Sequence, residues 1–283
     1  VTAIVVDSNS QVPPSLIERF GITVVPLPVT VDGVEYLEGV DLEADDFYAR
    51  FESGTPAVST AQPSPGQFAV AYDGLVAAGA DEILSIHLGS DVSGTVNAAR
   101  LAAADAAVPV RVVDTGTVSF GVTLCAWAAA EAIEGGATMD EAAAVAERTG
   151  GRVGNVFVVR GLELARAGGR LATDGSDEAA PGEGIPVLAM TGGTMHVVGH
   201  AADLDTAAEL MAGQVLGAGD RLRVGVGVAD SGVAHFWDAI ERRLAGAAGV
   251  REVVRYRVGP SVGAHTGPGT VGVMYAPAEG VSG

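Results

Sequence analysis

The sequence predicts an α/β protein of two domains: a doubly wound parallel sheet over residues 1–160 and an α+β domain with a mixed sheet over residues 161–283. Three observations carry this. Strands alternate with helical segments through the first half, which calls for parallel pairing across helical crossovers. Gly, Asp, Glu, Ser and Pro crowd together between Leu171 and Gly184, as in a linker, and the pattern changes beyond them. The 283-residue length lies where single cores stop growing, at roughly 250 to 300 residues.

Each element follows from local chemistry. Ala3 to Asp7 is an apolar strand that ends on an acid. Pro13-Pro14 opens a helix that stops at Gly21. Ile22 to Leu27 and Val29-Thr30-Val31 read as strands, with a turn at Asp32-Gly33. Ser64-Pro65-Gly66-Gln67 combines a hydroxyl cap, a first-turn proline and a glutamine able to close a capping box. Glu82 to Leu88 is a strand, Thr95 to Ala107 a helix and Val110 to Asp114 a strand. An alanine-rich helix spans about Val118 to Glu134, and Thr138-Met139-Asp140-Glu141 caps the next. In the second half, Met195–Val198, Leu222–Val226, Val253–Val258 and Val271–Tyr275 are strands, with helices near Thr206 to Leu216 and His235 to Leu244.

Composition narrows the function. A formal charge of −19 and a chain without lysine argue against sequence-independent nucleic-acid binding, which needs a basic face. The missing lysine also removes Schiff-base chemistry and a Walker site. No apolar stretch approaches the ~20 residues that span a bilayer. The opening strand lacks the basic segment of a signal peptide, so a cytoplasmic protein without stable membrane insertion is expected. The single cysteine, Cys125, lies in an apolar run and reads as a small core residue.

Several motifs fail on context. Gly267-Pro268-Gly269-Thr270-Val271-Gly272 matches GxGxxG but leads into a terminal strand, whereas dinucleotide binding needs a helix after the first strand. Gly259-Pro260-Ser261-Val262-Gly263 matches GxSxG, yet the glycines and proline that follow are expected to exclude the helix of a nucleophile elbow. His196 and His200 fall in a predicted strand, about 13 Å apart and too distant to share a metal. His87 and His235 read as packed or surface histidines, and no metal site is expected. A phosphoryl-transfer role for Asp7 lacks a second nearby acid for Mg²⁺.

Three loops suit an anion. Ser59 to Ser64 is hydroxyl-rich and ends at a helix cap; Gly89 to Thr95 links a strand to a helix N-terminus, where free N–H groups and the helix dipole favour negative charge. Gly263 to Gly269 surrounds His265 with glycines that let backbone approach a ligand. Two hydroxyls, a helix N-terminus and a histidine suit a carboxylate better than a phosphate, which more often recruits arginine or lysine. From these residues alone, an acyl-ester hydrolase with Ser93 as nucleophile and His265 as base stays open as the alternative, although no acidic orienter for the histidine can be picked out.

The order of these signatures resembles the DegV family of bacterial fatty-acid-binding proteins, which includes the binding subunits of fatty acid kinase. The matching pieces are Asp7-Ser8-Asn9-Ser10, Val25-Pro26-Leu27-Pro28-Val29, Thr60-Ala61-Gln62-Pro63-Ser64, Ser93-Gly94-Thr95, Val113-Asp114-Thr115, Ala167-Gly168-Gly169-Arg170 and Gly263 to Gly269. The resemblance implies a Rossmann-like N-terminal domain, a second α/β domain and a long-chain acyl group between them. It implies that Thr60, Ser93 and His265 hold the carboxylate, with Gly94, Thr95, Ala61, Gln62, Thr266 and Arg170 in support. It implies a lipid-binding protein and not an enzyme, with the fatty acid as its ligand in place of any cofactor. A separate kinase is the implied partner, making the acyl phosphate for phospholipid synthesis. Ala61 departs from the family's usual serine, Gly184-Ile185-Pro186 replaces its Ile-Lys-Pro, and the surface is strongly acidic.

Overall fold

The computed structural model describes residues 1–160, 164, 184–192 and 194–278. They form two compact units: Val1–Pro28 with Thr60–Val153, and Val29–Ser59 with Gly154–Ala278. The second unit starts at Gly154, ahead of the boundary expected at 160, and takes in Val29–Ser59, which sequence order alone assigns to the first.

The first unit is built on a four-stranded sheet of β1 (Thr2–Asp7), β2 (Thr23–Val25), β6 (Glu82–His87) and β7 (Val110–Asp114). Their order is β2-β1-β6-β7 and every pair is parallel. Strand alternation divides the side chains between two faces. Ile4, Val6, Leu84 and Ile86 pack with α5 (Phe120–Glu134) and α6 (Met139–Gly150), whose alanines 126, 129, 142, 143 and 146 allow close approach. Val5 and Ile83 face α3 (Pro65–Ala77) and α4 (Thr95–Ala103), through Phe68, Tyr72, Ala98 and Ala99. By the same alternation Asp7 follows Val5, and Ser85 and His87 follow Ile83, onto the α3 side. The expected caps are present: Ser64 with Gln67 and Thr138 with Glu141 form complete capping boxes. The first short helix, α1 (Pro14–Phe20), ends on Gly21 in the left-handed region, as its sequence requires.

The second unit carries a six-stranded sheet of β8 (Gly154–Val158), β9 (Ile185–Thr191), β10 (Thr194–Ala201), β11 (Leu222–Val228), β12 (Val250–Arg257) and β13 (Val271–Pro277). Its order is β10-β9-β8-β13-β11-β12, antiparallel throughout except for the parallel pair β11 and β12. This is the expected mixed sheet. Helices α7 (Leu204–Gly217) and α8 (His235–Leu244) supply Ala207, Ala208, Met211, Phe236 and Ile240 to its core. Every residue of β11 is buried. A smaller sheet, β4-β3-β5, consists of β3 (Pro28–Val31), β4 (Val34–Leu37) and β5 (Val58–Thr60). Asp32 and Gly33 turn β3 into β4 with positive φ at both positions, the form that matches hairpin twist. Helix α2 (Ala44–Ala49) follows this hairpin.

One expectation is overturned. Pro260–Thr266 is a helix, α9, although the glycines and proline that follow Ser261 argue against one. Pro260 occupies the first turn, where its fixed φ is favourable, and the helix ends before Gly267, whose φ is 75°. Gly263 is tolerated inside it because the space beside it is filled: a Cβ there would lie 2.5 Å from Tyr48 Oη and 2.8 Å from Phe47 Cε1. Tertiary packing outweighs the weak local propensity. The GxSxG run therefore does join a strand to a helix, but Ser261 is buried. No helix among the described residues is long and apolar enough to cross a membrane.

Candidate functional site

In the first unit the carboxyl end of β6 leads into the turn that carries Ser93. Its root is pinned to neighbouring backbone: Thr115 N–H and Oγ1 both donate to His87 O, and Gly89 N–H donates to Thr117 O at 2.8 Å. Val92 and Ser93 N–H groups then close the turn on Gly89 O. Ser93 is half-buried and its Oγ accepts from Thr95 N–H at 3.3 Å, with Thr95 Oγ1 2.8 Å away. The hydroxyl thus sits at the opening of α4, where the helix dipole favours an anion.

Thr60 ends β5, half-buried, and Ala61 N–H donates to Pro28 O at 3.0 Å. Gln62 lies across Gly94: a Cβ at Gly94 would meet Gln62 Oε1 at 1.9 Å. The structure therefore brings the Thr60–Gln62 and Ser93–Thr95 segments together, as a shared anion site requires.

His265 belongs to the second unit. It lies in the last turn of α9, half-buried. Glu38 Oε1 accepts Ser261 N–H at 2.9 Å at the start of that helix, and Tyr48 donates from its hydroxyl to Val258 O at 3.0 Å just before it. Burial, reinforced by the Glu38 and Asp230 carboxylates, pushes the Tyr48 hydroxyl far above its usual range. Beyond His265, Thr270 Oγ1 donates to the carbonyls of Thr266 and Gly267, and Asp230 Oδ2 accepts Gly269 N–H at 2.6 Å. The Arg160 side chain runs beside Gly269, whose φ of 75° puts it in the left-handed region. Thr266 is buried and donates to Val262 O at 3.2 Å. Arg170 lies outside the described residues.

A buried polar chain went unnoticed in the sequence. Asp7, Ser85 and His87 are fully buried and Tyr72 nearly so. His87 Nδ1 lies 2.9 Å from Asp7 Oδ2, His87 Nε2 lies 2.7 Å from Ser85 Oγ, and Ser85 Oγ lies 2.8 Å from Tyr72 Oη. Phe68 meets the His87 ring edge-on at 5.0 Å. The connectivity is that of a Ser-His-Asp triad, but Ser85 Oγ is held between His87 and Tyr72 inside the core, where no substrate reaches it. The same burial removes the phosphoryl-transfer reading of Asp7. The spacing of Ser85 and His87, two apart on one strand, was the available signal; the pairing with Asp7 depends on the register Val6↔Ile86 of β1 and β6. His87 is the histidine of this unit, and both its ring nitrogens are engaged, by Asp7 and by Ser85. His196 and His200 lie on β10 as expected, and among the described residues no group of three His, Cys, Asp or Glu could hold a metal ion.

Residues 1–278 match the family described as uncharacterised proteins of the DegV family. The chain belongs to that family. A DegV domain-containing protein of Streptomyces coelicolor is 36% identical over 279 residues, covering 96% of this chain and 97% of its own. Among solved structures, a DegV family protein from Thermus thermophilus described for its fatty acid binding superposes with a TM-score of 0.85 at 31% identity, covering 98% of this chain and 99% of that one. A Thermotoga maritima protein described as revealing fatty acid binding function gives 0.83 at 27% identity, covering 98% and 99%.

Proposed function

We propose that this chain binds a long-chain fatty acid, with Thr60, Ser93 and His265 holding its carboxylate and the acyl chain in an interdomain tunnel. The observation that carries this reading is the likeness, along nearly the whole chain, to the fatty-acid-binding Thermus thermophilus protein. The local chemistry agrees with it. Ser93 stands at a helix N-terminus, the Thr60 segment lies beside it through Gln62 and Gly94, and His265 is set among glycines. Hydroxyl and imidazole donors are directional enough to orient a carboxylate without a lysine. No covalent step on the lipid belongs to this reading. The protein carries the acid in the cytoplasm and presents it to a separate fatty acid kinase, where acyl phosphate is formed.

The test is mass spectrometry of an organic extract of the purified protein, followed by loading with palmitate. A stoichiometric long-chain fatty acid is expected. Ser93→Ala and His265→Ala should each weaken palmitate binding about tenfold to hundredfold, the worth of a hydrogen bond to a charged group. Far-UV circular dichroism should stay unchanged. An empty extract together with failure to load palmitate refutes the ligand class, and undiminished binding in both variants refutes the residues.

A further inference from the structure

Two buried carboxylates each grip the main chain where a segment bearing a proposed ligand residue begins. Asp7 Oδ2 accepts Leu88 N–H at 3.1 Å, and Leu88 is the last residue before the turn that carries Ser93. Glu38, only 6% exposed, accepts Ser261 N–H through Oε1, and Ser261 lies one helical turn before His265. Removing a carboxylate from water is costly unless donors replace the lost hydration, so a buried acid aimed at a single backbone N–H needs further support.

For Asp7 the support comes from the His87 ring. A neutral imidazole has one donor and one acceptor nitrogen. With Nδ1–H donating to Asp7, Nε2 accepts the Ser85 hydroxyl proton, and Ser85 Oγ in turn accepts from the Tyr72 hydroxyl. Each donor then points toward the acid, and bonds in such a chain strengthen one another. The line runs from α3 across β6 to the end of β1, so Tyr72 on α3 helps hold the acid that fixes the root of the Ser93 turn. Nothing in this line is available to react, since each atom is enclosed. Its geometric consequence is to set where the Ser93 turn starts.

We infer that Asp7 and Glu38 are positioning residues for Ser93 and His265, with the Tyr72–Ser85–His87 chain holding Asp7 in turn; this rests on the function proposed above. A ligand carboxylate needs directed donors, whereas an acyl chain needs only apolar surface. Loss of positioning therefore lowers preference for the acid over its neutral counterpart without abolishing lipid binding. A purely structural role would lower stability and leave that preference alone.

The experiment measures palmitate and 1-hexadecanol affinity for the full chain and for Asp7→Ala, Asp7→Asn, Glu38→Ala and Glu38→Gln, well below each melting temperature. Wild type should prefer the acid. The alanine variants should lose about tenfold of that preference, with hexadecanol binding held within about twofold. The amide variants, which keep a carbonyl oxygen facing the same N–H, should recover most of it. Alanine variants with the wild-type ratio, however destabilised, overturn the inference. Should Asp7→Ala not fold, Ser85→Ala cuts the same chain and should cost about threefold in the ratio. Should Glu38→Ala not fold, Glu38→Asp withdraws the acceptor by one methylene and should cost a similar amount. An unchanged ratio in either replacement overturns its half. Wild type that fails to bind palmitate refutes the proposed function itself and takes the inference with it, a result seen before any variant is read.

Discussion

Gly263→Ala sets two effects of opposite sign against each other in one residue. In a helix interior alanine is favoured over glycine by roughly 0.5–1 kcal/mol, and nothing in the backbone of α9 opposes the change. Packing opposes it. The added Cβ would stand 2.5 Å from Tyr48 Oη and 2.8 Å from Phe47 Cε1, where real contacts begin beyond 3.0 Å. Neither ring has room to withdraw: Phe47 is 0% exposed, Tyr48 is 5% exposed, and the Tyr48 hydroxyl is committed to Val258 O. Overpacking of this kind costs about 1–3 kcal/mol, and loss of the Tyr48 bond adds about 1 kcal/mol. The net is a destabilisation of about 1–3 kcal/mol. For a unit of this size each kcal/mol lowers the melting temperature by about 2–4 °C. Differential scanning calorimetry should therefore show a fall of about 2–12 °C. Repeating the substitution on a Tyr48→Phe background removes the nearest contact and should reduce its cost by about 1 kcal/mol. A melting temperature that rises, as helix propensity alone requires, or equal costs on both backgrounds, would sink the argument that packing makes this helix.

Three further outcomes follow from groups already described. Burial pushes the Tyr72 hydroxyl up to about 12, against the lowering effect of its bond to Ser85. A folded value above the unfolded one, about 10, means its contribution is intact below pH ~10 and lost as pH rises toward about 12. Urea midpoints measured across that window should fall less steeply in Tyr72→Phe, and identical slopes would refute the assignment. Burial likewise pushes the Cys125 thiol up, so the native protein should not react with Ellman's reagent, while the unfolded chain releases one equivalent; rapid native reaction would contradict the burial. Gly94→Ala should change stability by no more than about 0.5 kcal/mol, because the group in its way is the end of the exposed Gln62 side chain. If Gln62 must lie across Gly94 for the proposed clamp, palmitate binding should nevertheless weaken in Gly94→Ala, and unaltered binding would separate Gln62 from the site.

Elements whose signals are local were legible in the sequence. Ser64 and Gln67, or Thr138 and Glu141, form their capping boxes within one turn, so four consecutive residues contain the whole interaction. The apolar run within Glu82 to His87 and the Asp32-Gly33 turn are equally self-contained. What was misread depends on distant partners. Helix α9 exists because Phe47 and Tyr48 fill the space beside Gly263, and Tyr48 bonds to a carbonyl 210 residues away in the chain. Val29–Ser59 joins the second unit through contacts of the same kind, which strand and helix periodicity does not record.

The candidate site divides in the same way. Ser93 was legible as a hydroxyl at a helix start, and its Oγ accepts from the first amide of α4, Thr95 N–H. Thr60 was legible only as part of a hydroxyl-rich loop; the described contact between its segment and the Ser93 turn is Gln62 laid across Gly94. The buried acids were hardest to see, because an aspartate at a strand end and a glutamate after a hairpin usually face water. Asp7 is distinguished only once β1 and β6 are paired, since the register that aligns Val6 with Ile86 delivers the Ser85 and His87 stripe to its carboxylate. A chain with a formal charge of −19 has abundant acids, and most of those in the described ion pairs are half-exposed or more exposed. Exposure is what separates Asp7 and Glu38 from them. Each accepts a backbone N–H, and Asp7 also meets the His87 ring, which leaves the proposed carboxylate site to hydroxyls and an imidazole, groups that give direction to an anion without adding further charge to be buried.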